Sequence, residues 1–207
     1  MITLKEIGGL IIALLILAFS YSFINPDLFL QGLVFFAVIL TVYVAAKKFM
    51  AYYFESEEET KIWTFQRYGI YERSYLKTPV PLGIILPFFL TILSLGLIPW
   101  YAVTESDVKP TTSRVARRHE FYSYSELTEW HIGLISAAGV LACFILAFFA
   151  YFLDYGTLSK LSIFFAAFNL IPLGKLDGTR IVFGSRILYF MLVAVTILGL
   201  TYAFLMP

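Results

Sequence analysis

Runs of about 20 apolar residues constrain this chain more than any other feature, because a helix of that length spans the ~30 Å hydrocarbon core of a bilayer. About six windows qualify: 7–24, 28–46, 81–103, 132–153, 158–173 and 183–205. With 60% hydrophobic residues, 14% charged and a mean hydropathy of +0.83 over 207 residues, the solvent of the fold is lipid. The expected fold class is an all-α polytopic membrane protein, a single membrane domain over 1–207. The first apolar run lacks an A-x-A-like cleavage site and is long enough to span, so it reads as a retained helix. The fifth window is short and runs into polar residues, which predicts a helix that ends or unwinds inside the protein. In the third, Pro87 is expected either to kink a span or to divide it into a re-entrant piece and a span.

Two stretches are polar enough to lie outside the lipid. Residues 52–78 open with an acidic cluster and continue with alternating aromatic and polar residues, which predicts a small interfacial β element, a short hairpin or edge strands. Residues 104–130 read as a basic patch followed by a helix start, with Ser125 and Glu126 as caps and Trp130 as a head-group anchor. With six spans, Lys5, Lys47, Lys48, Lys61, Arg67, Arg73, Lys77 and Lys160 fall on one side. Lys109, Arg114, Arg117, Arg118, Lys175, Arg180 and Arg186 fall on the other, a division of 8 against 7 that leaves orientation open. The working expectation is both termini in the cytoplasm and residence in the cell membrane. A net charge of +1 offers no electrostatic basis for binding nucleic acid. The single cysteine, Cys143, lies in an apolar run and builds neither a disulfide framework nor a thiolate metal cage.

A carboxylate in a membrane segment is costly and marks a functional site by default. The stretch FNLIPLGKLDGTRI carries one, Asp177, eight residues after Asn169 and five after Pro172. The plainer reading makes Asp177 an interfacial cap of the sixth helix, with Lys175 and Arg180 as solvated neighbours. The pattern Asn169, Pro172, Leu176, Asp177, Gly178, Arg180 nevertheless resembles the N-x-x-P and L-D-G signature of the site-2 proteases, intramembrane zinc metalloproteases. That resemblance implies a site-2-protease-like helical core, a zinc cofactor bound by Asp177, and an asparagine that holds substrate backbone.

The family's other two ligands belong to an H-E-x-x-H helix, in which histidines four residues apart share one face. This chain has only His119 and His131, twelve residues apart, and the HEFYS at His119 lies in a charged stretch. The second span, ILTVYVAAKKFMAYYF, resembles a worn copy of the metal helix, with Tyr43, Val44 and Lys47 at the positions of histidine, glutamate and histidine. SAAGVLACF resembles the family's A-G-P-x-x-N turn, retaining Gly139 but carrying Val140 and Cys143 in place of proline and asparagine. The approach YSYSELTEWHIG is similar to that of short archaeal-type members.

One carboxylate without a histidine pair or a glutamate base makes a poor zinc site, so no cofactor is expected. A buried carboxylate without its dication must be paired or protonated. Lys47 is therefore expected to pair with Asp177, directly or through water, with Tyr43 donating a hydrogen bond. The alternative is that Lys47 and Lys48 snorkel to the head groups. The resemblance with its losses implies a pseudoprotease that binds or scaffolds a membrane protein or transmembrane helix within the lipid bilayer. Two alternatives stand beside it: an active metalloprotease using zinc with atypical ligands such as Asp177 and His131, and a small transporter or channel with Asp177 and Lys175 as relay groups.

Overall fold

The computed structural model describes residues 3–67, 75–97, 99–111 and 127–205. Its helices are α1 (Leu4–Ser22), α2 (Phe29–Tyr53), α3 (Leu82–Leu93), α4 (Glu129–Phe152), α5 (Gly156–Asn169), α6 (Asp177–Gly184) and α7 (Arg186–Leu205), with a 3-10 turn at Pro26–Leu28. Four strands complete it: β1 (Ser56–Ile62), β2 (Phe65–Arg67), β3 (Tyr75–Val80) and β4 (Thr104–Pro110).

Four helices, α1, α2 with its preceding turn, α4 and α7, are long and apolar enough to cross a membrane. Windows 81–103 and 158–173 instead hold helices of 12 and 14 residues, and window 183–205 is broken at Ser185 between α6 and α7. The third window does not break at Pro87, which lies inside α3. The chain turns at Leu95 and Gly96, both with positive φ. It then returns as a non-helical segment whose Tyr101, Ala102 and Val103 are buried. Non-helical backbone is tolerated there because protein surrounds it: Val103 O accepts from Trp63 N at 2.8 Å, and Trp63 O accepts from Gly83 N at 2.9 Å. The returning segment also seats Tyr101 against Phe36, with ring centroids 5.3 Å apart, and against Phe168 at 5.7 Å.

The ends of the bundle follow from side-chain contacts. At one end Thr3 caps α1 by accepting from Glu6 N at 3.2 Å and donates to Glu59, while Glu6 accepts from Thr60 N at 3.1 Å. The last turn of α2 lies there too, because Phe54, just past it, packs on His131 of α4 at 4.8 Å. At the other end Tyr151 of α4 meets Tyr202 of α7 at 5.4 Å, and Ser159 of α5 donates to Ala147 O at 2.8 Å. Among the described residues helix α1 thus begins at the sheet end and α7 finishes at the opposite end, whereas the sequence reading expected both termini on one side.

The β element also differs from expectation. β2 and β3 pair antiparallel as anticipated for this segment, with Phe65↔Val80 and Arg67↔Tyr75, so the pairing runs two residues beyond 78. β1, however, pairs antiparallel with β4 from the other polar segment, in register from Ser56↔Pro110 to Ile62↔Thr104. Lys61 bridges Glu59 and Asp107 at 2.9 and 2.8 Å, and Lys109 reaches Asp107 at 3.3 Å. The hydrogen bonds from Lys61 hold both carboxyls below their usual range, and the bond to Asp107 chiefly raises its own ammonium. Lys61 and Lys109 therefore lie at the same end, which redraws the even division of cations. The expected caps Ser125 and Glu126, with His119, lie outside the described residues. The N-cap of α4 is Thr128.

Candidate functional site

The broken element α5–turn–α6 brings Asp177 to the middle of the molecule. α5 ends at Asn169, the chain passes through Leu170–Leu176 without helix, and α6 starts at Asp177. A carboxylate in the first turn is favoured by the helix dipole, and Asp177 is completely buried. Gly178 follows because the backbone leaves no room for a side chain: a Cβ there would lie 2.0 Å from Leu170 O. Gly178→Ala is expected to destabilise by at least the ~1–3 kcal/mol typical of overpacking, since backbone rather than a flexible side chain must yield. A thermal unfolding midpoint equal to that of the parent would refute this account of the L-D-G glycine.

Opposite Asp177, α2 presents Tyr43 and Lys47, one turn apart on one face and both fully buried. Lys47 Nζ lies 2.7 Å from Asp177 Oδ2 and 2.8 Å from Oδ1. It also donates to Tyr43 Oη at 2.6 Å and to Ser106 Oγ at 2.7 Å. Tyr43 in turn donates its hydroxyl proton to Asp177 Oδ2. The three N–H groups of the ammonium are thereby used on a carboxylate, a phenol and a hydroxyl, with the cation 4.0 Å from the centre of the Tyr43 ring. The expected pair is direct rather than water-bridged, and Lys47 does not snorkel. Lys48 is held within the protein too, its ammonium 2.7 Å from the buried Glu6 Oε1.

Gly139 of α4 makes space for this arrangement, since a Cβ would lie 2.8 Å from Lys47 Cε and 2.9 Å from the Tyr43 ring. Val140 and Cys143 are buried beside it, and Val44 packs into the same core. Asn169 is buried and donates to Phe165 O, one turn back in its own helix, at 2.9 Å. Among the described residues its Oδ1 has no hydrogen-bond partner. Pro172 lies exposed in the turn, Leu176 packs with Trp63 and Ala102, and Arg180 lends its carbonyl to the close approach of α6 and Gly133. Lys175 lies apart from the buried pair: its side chain is 60% exposed and 3.9 Å from Glu105.

His131 belongs to the first turn of α4, where its Nδ1 lies 2.5 Å from Thr128 Oγ1. Eight residues of helix, about 12 Å, separate it from Gly139 and the buried pair. Among the described residues no three His, Cys, Asp or Glu side chains converge on one point. A carboxylate, a phenol and an ammonium do not fit zinc: the ammonium offers no lone pair, and its charge opposes a cation at the same place.

Ser106 was not among the residues singled out in the sequence. Its only local signal is the alternation within TESDVKP, and its contact with Lys47 depends on the non-local pairing of β4 with β1. No family model, no curated protein and no solved structure matches the chain.

Proposed function

We propose that this chain is a non-catalytic membrane protein of the site-2 protease type, a pseudoprotease of the cell membrane that binds or scaffolds a membrane partner. The observation that carries the reading is the convergence of Tyr43 and Lys47 on Asp177. These are positions where the resemblance places metal ligands, and here an ammonium supplies the charge that a dication would supply. With its donors directed at Asp177, Tyr43 and Ser106, the Lys47 ammonium offers no lone pair to act as a base. The pair therefore works as a strut that keeps α2, α6 and β4 in position. Binding falls to the surfaces this strut supports, including the non-helical turn around Pro172.

Elemental analysis of the purified, detergent-solubilised protein tests the reading. Wild type and Asp177→Ala are both expected to carry no stoichiometric metal. Zinc present at one per chain in wild type and absent from the variant would overturn it in favour of a metalloprotease with unusual ligands.

A further inference from the structure

Between α5 and α7 runs an apolar groove of about 410 Å³, walled by Phe164, Phe168, Val193, Leu200 and Phe204. A second apolar hollow of about 350 Å³ lies between the start of α5, Tyr21 of α1 and the returning segment at Pro99 and Tyr101. Phe164, Phe168 and Phe204 line both, so the two are neighbouring lobes divided by aromatic rings. Helix α7 buries only Leu192, Thr196 and Ala203 of its 20 residues, and its neighbour α5, with 14, is too short to cover the rest.

The lining decides the chemistry of an occupant. Thr196 donates its hydroxyl to Leu192 O at 2.7 Å, which leaves the first lobe an almost wholly hydrocarbon surface. Apolar space of this kind stays free of water, and beside a membrane span the hydrocarbon that fills it is an acyl chain. The lobe runs along α7 from Tyr189 to Phe204, ~22 Å of helix. That falls short of the ~30 Å a partner span presents, but exceeds the ~15 Å from head groups to midplane that one lipid chain covers. The two helices also touch beside it, where a Cβ on Gly199 would lie 3.2 Å from Ile163. The space is therefore a crevice, narrower than the ~10 Å that a partner helix needs.

The second lobe supplies a charge. Lys160 and Thr157 line it near the start of α5, at the end of the bundle away from the sheets. No side chain caps α5 at Tyr155, so its first-turn N–H groups add a partial positive charge at the same level. Asp154 precedes α5 but lines neither lobe. An ammonium carries three N–H donors and can meet a phosphate oxygen beside its other contacts. Two hydrocarbon lobes that share a wall, with a cation at the outer end of one, match a two-chain lipid with an anionic head group. We propose that these lobes hold one resident anionic phospholipid, its phosphate at Lys160 and Thr157 and its two chains on either side of Phe164 and Phe168. The site stands apart from the buried pair and does not depend on the pseudoprotease reading.

Native mass spectrometry of the full chain, released from mild detergent after titration with phosphatidylglycerol or phosphatidylcholine, counts bound lipids and tests it. One phosphatidylglycerol per chain is expected to persist at about a tenth of the concentration that phosphatidylcholine requires. Lys160→Gln should erase that preference, while Lys5→Gln, the same charge change at the sheet end, should leave it unaltered. Ala167→Phe and Val193→Phe fill the first lobe from its two walls, and each should lower retention of both lipids about tenfold or more. Thermal unfolding midpoints matched to wild type separate a filled lobe from a misfolded chain. No retained lipid, equal retention of the two lipids by wild type, a preference that survives Lys160→Gln, or full retention in both filled variants would overturn the proposal. So would release of phosphatidylglycerol by free phosphate, or a dimer of lipid-free wild type that Ala167→Phe abolishes, which would give the lobes to a second copy.

Discussion

Lys47→Ala is expected to cost about 3–5 kcal/mol of stability, because it leaves the Asp177 carboxylate buried without its counter-charge. Asp177→Asn should cost a comparable amount by stranding the ammonium. The double variant Lys47→Met, Asp177→Leu removes both charges while keeping much of the volume, and should recover most of the loss. Replacing a buried ion pair with apolar groups is often close to neutral, whereas breaking it is not. Denaturant unfolding in mild detergent, followed by tryptophan fluorescence, supplies the four corners of the cycle. Single variants each within about 1 kcal/mol of wild type, or additive in the double variant, would mean that the pair contributes nothing as a pair.

Restoring the residues that the resemblance implies should turn the site into a metal centre. Tyr43→His, Val44→Glu and Lys47→His together write H-E-x-x-H across the buried face of α2. Because Tyr43 Oη and Lys47 Nζ both reach Asp177 now, imidazoles at the same two positions would face that carboxylate with Lys47's charge removed. Three ligands and an open position suit zinc. The triple variant is expected to retain about one zinc per chain after dialysis, and adding Asp177→Ala should abolish it. Folded triple variant without zinc would show that these residues do not occupy worn metal positions. The result also discriminates among functions, since a relay or channel built around Lys47 and Asp177 gives no reason for those positions to accept zinc.

The contrast between what was legible and what was not has a physical origin. Tyr43, Lys47 and Asp177 were legible because the first two share a helical face and the third belongs to a fixed local pattern. Their meeting required only that α2 pack near the start of α6. The turn at Leu95 and Gly96 was not legible, since a segment buried in protein and one facing lipid have the same apolar composition. Window 81–103 therefore offered a kink or a division only at Pro87, although the helix ends later, at Leu93. β1 and β4 each look polar and strand-like or loop-like alone, and nothing local says that Ser56 will face Pro110. Ser106 inherits that blindness, although it completes the coordination of the ammonium.

The 130 residues between Lys47 and Asp177 set a timetable for synthesis as well as a contact in space. At about 5–20 residues per second, the carboxylate leaves the ribosome roughly 6 to 26 seconds after the lysine. Throughout that interval α2 must carry an ammonium without its carboxylate, and for the first 59 residues of it without Ser106 as well. Measured from Phe29, about 30 Å of helix ends close to Lys48, so Lys47 waits near the head groups rather than at mid-bilayer. Its long stem can keep the charge wet there until the rest of the chain arrives. Closure of the ion pair is thus a late event, and the nascent protein remains an open assembly of hydrated charges until α6 docks.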